Sequence, residues 1–296
     1  MGRGVNTPAA FATNAGLGAA AGSNNFGGAV VACGDLDGDG AAELLVGASA
    51  RNNPTTNSGS AFVVWLWPAN GTMRTFVHWQ VGTTAVPSAF TGAATSAFFG
   101  YGVGCGGDFD GDGVWDGVVG AVSAGDAYAV WVRGDGGMKS FLVIAGSGSV
   151  TIGGVSDAFG NAVWVGGRPN GTLWEVVVGG RARTVAGQSA AGGVWVMRVD
   201  GLSGVAMSVL LWEMGTAPFA SFPPVIIGFL GQGVGGLGDI DCDGGEDLLV
   251  GTGVSYLFVV RRGASGAVVG VSKVTAPSLT PSVPNFFGRS EERRVG

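Results

Sequence analysis

A two-residue mark that returns five times along the 296 residues limits this chain to a repeat architecture. An aromatic residue or leucine followed by glycine stands at 26, 99, 159, 230 and 287, at intervals of 57 to 73 residues. An apolar run that ends in or just after glycine follows in the first four units: LLVGA at 44–48, VVGA at 118–121, VVVGG at 176–180 and LLVGT at 248–252. The chain therefore repeats one structural unit four times.

Each unit predicts four short β-strands, because runs rich in Val, Trp, Phe and Leu alternate with Gly, Asn, Asp and Pro. The 59 glycines lie between these runs and indicate turns rather than a low-complexity segment. The predicted strands are 28–33, 43–48, 60–67, 73–81, 101–106, 116–122, 127–133, 138–145, 161–166, 174–179, 193–199, 206–213, 232–237, 247–251, 255–262 and 267–274.

Four antiparallel strands in a unit of about 60 residues are typical of a propeller blade. Stacking such blades around an axis buries both faces of each sheet and leaves only short edges. A helical solenoid would need apolar residues at spacings of three and four over ten or more positions, and no such stretch is present. The sequence predicts an all-β fold, a β-propeller of four-stranded antiparallel blades with four complete units and partial ends.

The repeat marks also set the expected unit boundaries. We expect residues 1–25 to be the end of a preceding blade or a disordered lead, and 287–296 to be the truncated start of a further repeat. The closing GRSEERRVG lacks the strand and acidic loop of a fifth unit, so the chain is expected to be a fragment or to end in non-native residues. The four complete units are 26–98, 99–158, 159–229 and 230–286.

Three of the four units carry the pattern D-x-D-x-D-G-x-x-[DE], which begins nine residues after the repeat mark. Carboxylates at positions 1, 3, 5 and 9 of a tight turn point at one centre, and Ca²⁺ takes six to eight oxygen ligands. A backbone carbonyl at position 7 is expected to add one more. The predicted ligands are Asp35, Asp37, Asp39, Ala41 and Glu43; Asp108, Asp110, Asp112, Val114 and Asp116; and Asp239, Asp241, Asp243, Gly245 and Asp247.

These loops differ from an EF-hand, whose bidentate Glu stands at position 12 between two helices. Here the last acid is at position 9 and a strand follows at once, which predicts a β-hairpin loop. Unit three keeps only Glu175 among the acids and has Arg168 at position 1, so we expect no calcium there.

The charge balance supports bound cations. Positions 1, 3, 5 and 9 of the three loops hold 12 of the 21 acidic residues, and the formal net charge is −6. Carboxylates so close together repel one another unless a cation or protons neutralise them. Three divalent ions would bring the net charge to zero, and we expect about three structural Ca²⁺ sites, with no catalytic residue and no other cofactor.

Composition excludes several function classes. No basic patch with interleaved aromatics suggests nucleic acid, and no run of 18 apolar residues predicts a membrane span. The N-terminus lacks a signal-peptide pattern, so either the chain is intracellular or its true start is missing. Cys33, Cys105 and Cys242 are odd in number and widely spaced, and we expect small buried thiols without a disulfide framework.

Three other residue types have an ordinary structural explanation. The single histidine, His78, is predicted on a strand face. The nine tryptophans are expected to pack mostly in the core, although an exposed one at a blade rim would suggest sugar stacking. Asn70 and Asn170 lie in N-x-T sequons, which support secretion and a glycoprotein only weakly.

Together, the F-G start, the D-x-D-x-D-G loop and the L-V-G-A end resemble the FG-GAP repeats of the integrin-α N-terminal propeller. The resemblance covers about residues 26–288. It implies calcium bound in hairpin loops on one face and ligand or partner-subunit contacts on the opposite face. It also implies seven blades, so other blades of the same propeller are expected to be missing from this chain.

Function is less constrained than fold. Similar repeats occur in bacterial surface proteins, lectins and some polysaccharide-degrading enzymes. We expect a calcium-binding adhesion or ligand-binding module at the cell surface or outside the cell, with a protein or glycan ligand, and not an enzyme. The alternatives are a lyase-like polysaccharide-active enzyme, for which one His and three Tyr are few candidates, and a purely structural repeat array.

Overall fold

The computed structural model describes residues 24–275 with short gaps. The gaps are 53–54, 82, 91–94, 145–156, 167–172, 202, 204–205, 225 and 227. The predictions for residues 1–23 and 276–296, for Arg168 and for Asn170 therefore lie outside the described residues. Within the described part there is no helix that could cross a membrane.

The described residues form four antiparallel sheets of four strands each, which we call blades 1 to 4. In every blade the strands pair in chain order, so each blade is a simple meander. The strands are β1 (Phe26–Ala32), β2 (Leu44–Ala48), β3 (Ala61–Leu66), β4 (Met73–Trp79); β5 (Phe99–Gly107), β6 (Asp116–Ala121), β7 (Asp126–Val132), β8 (Met138–Val143); β9 (Phe159–Gly166), β10 (Leu173–Gly180), β11 (Gly193–Asp200), β12 (Ala206–Trp212); and β13 (Val234–Gly238), β14 (Asp247–Gly251), β15 (Tyr256–Arg262), β16 (Val268–Thr275). The predicted all-β propeller fold is confirmed.

Neighbouring residues of one strand pack against different blades. We call each packed contact between two adjacent blades a joint. In β6, Val119 packs with Leu45 and Val63 of blade 1, whereas Val118 packs with Val163 of blade 3. Both faces of the strand are thus buried, which is why its sequence is continuously apolar instead of alternating. The joint between blades 3 and 4 is built in the same way, around Phe258.

The glycines of the repeat mark meet the glycines of the apolar runs at these joints. A Cβ on Gly47 would lie 1.9 Å from the carbonyl oxygen of Gly100 in the next blade. The same contact recurs for Gly120 against Gly160 at 1.9 Å, and for Gly179 against Gly231 at 2.0 Å. Only glycine permits this approach. The two sequence motifs are therefore the two halves of one blade-to-blade contact.

The prediction of buried free thiols was wrong for all three cysteines. Cys33, just after β1, and Cys105, in β5, form a disulfide with a Cα–Cα distance of 5.3 Å, and Cys242 is exposed. The disulfide joins the innermost strands of blades 1 and 2 across 72 residues. Both cysteines stand six or seven residues after their repeat mark, a spacing that could have revealed the pair.

The first strands of blades 1 to 3 begin at the repeat mark, that of blade 4 begins four residues after it, and each ends at the loop to the second strand. The three acidic loops therefore lie at one end of the blades, which we call the loop face. The repeat marks and the turns between second and third strands lie at the other end, which we call the FG face.

Candidate metal centres

The first Asp of each acidic loop organises the turn by accepting backbone hydrogen bonds. In loop 1, residues 35–43, Asp35 Oδ1 accepts from the amides of Gly38 at 2.8 Å and Asp39 at 3.1 Å, and Oδ2 accepts from Gly40 at 2.8 Å. The carboxylate thereby holds three successive amides around itself, as Asp does in tight turns. This part of the loop is shaped by local sequence alone.

The other two loops repeat this geometry. In loop 2, residues 108–116, Asp108 accepts from the amides at positions 4, 5 and 6 at 2.6, 3.0 and 2.8 Å. In loop 4, residues 239–247, Asp239 accepts from Asp243 at 3.0 Å and from Gly244 at 2.9 Å. In all three loops the position-5 carboxylate accepts the position-7 amide at 2.9 Å.

Positive φ angles at positions 4 and 6 explain the glycines of the pattern. Gly111 and Gly113 have φ of 82° and 86° in loop 2. Loop 4 departs from the pattern, because Cys242 occupies position 4 with a φ of 59°. A side chain in this region is strained, whereas glycine is not.

The acidic side chains converge in each loop. One ligand atom per residue can be chosen so that all lie within 4.8 Å of one another in three groups: Asp35, Asp37, Asp39 and Glu43; Asp108, Asp110 and Asp116; and Asp239, Asp241 and Asp247. Asp112 and Asp243 lie in the loops but outside these groups. Nothing tests the role of the position-7 carbonyls of Ala41, Val114 and Gly245, which stay a prediction.

The position-9 acid is buried in each loop and connects three segments. Asp116 accepts hydrogen bonds from the amides of Phe109 and Val132, both at 2.7 Å. Asp247 accepts from Ile240 at 3.0 Å and from Arg262 at 2.7 Å. This acid therefore ties its loop to the third strand of the same blade, a second role that the sequence did not reveal.

Glu43 is the exception among the three. Its Oε2 accepts the amide of Leu36, but its Oε1 is buried without a hydrogen-bond partner. A buried carboxylate oxygen without a partner is costly. Glu43 belongs to the cluster with Asp35 and Asp39, so a cation bound there would bring positive charge to this carboxylate.

Burial and charge repulsion raise the pKa of two position-9 acids, Asp116 and Glu43. Burial raises the pKa of Asp116 to about 7, backbone hydrogen bonds oppose the rise, and the neighbouring Asp110 and Asp112 add to it. Burial also raises the pKa of Glu43, with further contributions from Asp35 and Asp39. Asp116 and Glu43 therefore resist ionisation unless positive charge enters their clusters.

Basic side chains lie at the outer rim of each loop, a feature that the sequence analysis missed. Arg74 pairs with Asp37 and Asp39, and the Lys139 ammonium lies 2.7 Å from Asp110 Oδ2 and 2.8 Å from Asp112 Oδ2. Both follow a methionine at the start of a fourth strand, and that shared slot is the signal that could have found them. In loop 4, Arg261 of β15 approaches Asp241 at 3.5 Å.

In blade 3 an arginine pairs with the position-9 acid. Glu175 of β10 forms a buried ion pair with Arg262 of β15 in blade 4, and the side chains are 6% and 4% exposed. The Arg262 Nε also donates to the Glu246 carbonyl at 2.7 Å. Glu175, whose loop lacks the other carboxylates, is thus paired with an arginine of the next blade.

The innermost strands of all four blades surround a central cavity of about 760 Å³. Towards the FG face its lining includes Tyr101, Asn161 and Gln232, each directly after a repeat mark. The Arg181 guanidinium lies 5.4 Å from the Tyr101 ring centroid, and the Arg181 amide donates to Asn161 Oδ1 at 2.9 Å. This end of the cavity is therefore lined by polar side chains, and a cation lies beside one of them, Tyr101.

His78 and the tryptophans lie where the sequence predicted them. His78 is on β4 and stacks on Phe62 with ring centroids 4.3 Å apart. Burial lowers the pKa of His78 to about 4, so it is uncharged at neutral pH. Eight of the nine tryptophans are buried, and Trp67 is 50% exposed beside Arg74.

Comparison with known proteins gives one family match. Residues 26–66, which span β1 to β3 and loop 1, match the model of the FG-GAP repeat. No curated protein matches the chain at a significant level.

Three solved structures are similar at low identity. They are hydrazine synthase from Kuenenia stuttgartiensis (11% identity, 85% of this chain, 50% of that chain, TM-score 0.42), a Dos1 propeller (8%, 79%, 44%, 0.39) and a protein of unknown function from Bacteroides caccae (8%, 84%, 58%, 0.33). The chain spans about half the length of these structures. At these TM-scores the likeness carries no argument about function.

The family match agrees with the four blades of the structure. The matched segment begins at the first repeat mark and ends with the third strand of blade 1. The same marks and glycine contacts recur through the other three blades. Residues 26–66 thus match the FG-GAP repeat, and the described residues form the four-stranded blades of a β-propeller-like fold.

Proposed function

We propose that this protein is a calcium-stabilised propeller module that binds a protein or glycan ligand at the cell surface or outside the cell. The observation that carries the calcium proposal is the convergence of three or four carboxylates within 4.8 Å in each of three equivalent loops. The ligands proposed are the acids at positions 1, 3, 5 and 9 and the position-7 carbonyls. Oxygen donors in this number suit Ca²⁺.

The unpartnered Glu43 Oε1 supports the same proposal independently of the acidic pattern. It is a buried oxygen that needs a donor or a cation, and Glu43 belongs to a cluster of acids that cannot donate when ionised. The rim residues Arg74 and Lys139 neutralise the outer carboxylate oxygens only. A divalent cation would supply charge at the centre of each cluster.

A structural role for calcium fits the loops better than a catalytic role. The buried acids Asp116 and Asp247 are occupied by backbone amides and are not available as general bases. The single histidine is stacked on Phe62 and has a pKa of about 4, which does not suit acid–base catalysis at neutral pH. We therefore favour a binding module over a polysaccharide lyase.

The ligand site is proposed on the FG face, at the channel mouth around Tyr101 and Arg181. A cation beside an aromatic ring at the cavity mouth suits a polar or anionic ligand group. The Cys33–Cys105 disulfide supports an oxidising compartment outside the cytosol. A glycan array probed with the wild-type chain and with Arg181→Ala tests the site, and a polysaccharide-cleavage assay tests the lyase alternative.

The calcium proposal is tested by thermal unfolding of the chain in excess EGTA, in Ca²⁺ and in Mg²⁺. An ion that binds only the folded state stabilises it by about 2.7 kcal/mol per site at a hundredfold excess over Kd. We expect the melting temperature to rise with Ca²⁺ and much less with Mg²⁺, which prefers strict octahedral geometry. Identical melting curves in EGTA and Ca²⁺ would refute the proposal.

A further inference from the structure

Blade 3 contains an arginine whose positive charge is balanced by two carboxylates. Arg183, four residues after the joint glycine Gly179, pairs with Asp157 at 2.9 Å and also with Glu213. Its guanidinium lies 5.5 Å from the ring centroid of Trp195. Two carboxylates and an aromatic ring thus surround one partly buried cation.

Blade 1 has the same framework without the acids. Arg51 stands four residues after Gly47 and lies 5.7 Å from the ring centroid of Phe62. The strand registers make Phe62 the counterpart of Trp195, since each follows the residue that pairs with the joint glycine. By the same registers, Gln80 of blade 1 is the counterpart of Glu213 in blade 3, and Asn24 is the counterpart of Asp157.

Two nitrogen atoms at this place are buried without a hydrogen-bond partner. They are Arg51 Nη1 and His78 Nε2, and both side chains contact the Phe62 ring. Among the described residues no carboxylate lies within 4.0 Å of Arg51, in contrast to Arg183. A guanidinium nitrogen that is buried without a partner is costly, because attraction to a carboxylate would repay part of its desolvation.

We propose that Arg51 and His78 form a carboxylate-binding site on blade 1. Arg51 Nη1 and, from the neutral imidazole, His78 Nε2 donate to the ligand carboxylate, which takes the place that Glu213 and Asp157 occupy in blade 3. The residues outside the described part contain only two acids, Glu291 and Glu292. The carboxylate therefore comes from those residues, from another polypeptide, or from a free carboxylic acid.

The side of blade 1 that carries the site has other open features. A Cβ on Gly27, at φ +80°, would meet nothing within 4 Å, whereas its counterpart Gly100 would meet the Ser60 carbonyl oxygen at 2.2 Å. Val46 and Phe62 belong to an apolar cluster of blade 1 alone, whereas their counterparts in the other blades join clusters shared between two blades. A carboxylate carried by a polypeptide on this side would find both a charge and an apolar surface.

The first experiment restores a carboxylate from within the chain. Gln80→Glu should place an acid where Glu213 lies in blade 3 and raise the melting temperature of the full chain by about 2 to 4 °C, the shift expected for roughly 1 kcal/mol. In an Arg51→Met background the same change should give no rise. Arg183→Met is the matched control and should lower the melting temperature, whereas Arg51→Met alone should not.

The second experiment distinguishes the sources of the carboxylate. Sodium acetate is compared with sodium chloride at equal ionic strength, and Glu291→Gln with Glu292→Gln tests the chain's own acids. A melting temperature that rises in acetate for wild type but not for Arg51→Met assigns a free carboxylate. A lower melting temperature in the Glu291→Gln, Glu292→Gln double variant, seen with Arg51 but not with Arg51→Met, assigns the chain's own acids. A melting temperature that rises with Gln80→Glu but responds neither to acetate nor to the double variant assigns another polypeptide.

Two results would overturn the site. One is that Gln80→Glu leaves the melting temperature unchanged, or changes it equally with Arg51 and with Arg51→Met, while acetate also has no effect on it. The other is a loss of stability in Arg51→Met as large as in Arg183→Met, since a compensated arginine would then already exist in blade 1.

Discussion

The buried acid at position 9 shows how one residue can serve both fold and site. Asp116 is 1% exposed and accepts two backbone hydrogen bonds, whereas Asp110 has its Oδ2 at the loop rim beside Lys139. The sequence pattern treats the two acids alike. Their surroundings differ, because Asp116 anchors the loop to the third strand, whereas Asp110 is a proposed ligand at the loop rim.

Asp116→Ala should therefore destabilise the protein with or without calcium. It leaves the amides of Phe109 and Val132 without their acceptor, at a cost of about 1–3 kcal/mol each. Asp110→Ala should lower stability in Ca²⁺ only. Urea unfolding of both variants in EGTA and in Ca²⁺ checks this, and equal losses for both variants in EGTA would contradict it.

The raised pKa of Asp116 also predicts a pH dependence. Because the pKa is about 7 in the folded state and near 3.9 when unfolded, the folded state binds more protons between these values. In EGTA the contribution of Asp116 to stability should therefore fall as pH rises from 4 to 7. The difference between wild type and Asp116→Asn isolates this contribution from His78 and Asp126, and a difference that does not change with pH would contradict it.

Cys242 offers a stabilising substitution. It has a φ of 59° at a position where Gly38 and Gly111 stand in the other loops. Cys242→Gly should relieve about 1 kcal/mol of strain. Gly111→Ala is the matched reverse change and should lose stability, and urea unfolding of the two variants in EGTA compares them.

At the scale of the strands, the sequence predicted the sixteen elements with no end in error by more than two residues. The runs are apolar on both faces and glycine separates them, so their limits are clear. The starts of β1, β5 and β9 were placed two residues late, because the positive-φ glycines Gly27, Gly100 and Gly160 resemble turn residues although they lie inside strands.

Contacts between distant residues could not be predicted in this way. The Cys33–Cys105 disulfide, the Arg262–Glu175 ion pair and the rim position of Lys139 all depend on where the blades place their strands. The convergence of the acids was predictable, because it arises within nine residues. The second function of the position-9 acid, which ties the loop to the third strand, could not be predicted because it depends on where that strand lies.

The rim cations should weaken calcium binding. The Lys139 ammonium contacts two loop-2 carboxylates and would have to be displaced or share them. Lys139→Met should therefore lower the Kd of that site in a calcium titration. Lys273→Met, whose ammonium lies 3.8 Å from the Tyr256 ring centroid, is the control and should leave Kd unchanged. A higher Kd in Lys139→Met would show that the lysine assists binding instead.

At the scale of the whole molecule, the joints between blades determine stability. Each joint combines an apolar cluster with a close contact of two glycines, and the first joint adds a disulfide. A disulfide that closes a loop of this length stabilises a protein by about 2–5 kcal/mol. The loop-face carboxylates are then held on a rigid frame by contacts that lie elsewhere.

Gly120→Ala should disrupt the joint between blades 2 and 3. The new Cβ would lie 1.9 Å from the Gly160 carbonyl oxygen, so the two backbones must separate. We expect a loss of several kcal/mol, at the high end for single substitutions. Gly134→Ala, whose Cβ would meet nothing within 4 Å, is the control for thermal unfolding, and similar melting temperatures for both variants would contradict the joint.

The central claim is that the three acidic clusters each hold a calcium ion, and isothermal titration of the chelator-stripped full chain with Ca²⁺ tests it most directly. We predict three equivalents for wild type, one per cluster, and two for Asp110→Ala. Asp135→Ala, which removes an acid outside the loops, should keep three. No binding by wild type, or three equivalents in Asp110→Ala, would contradict the account.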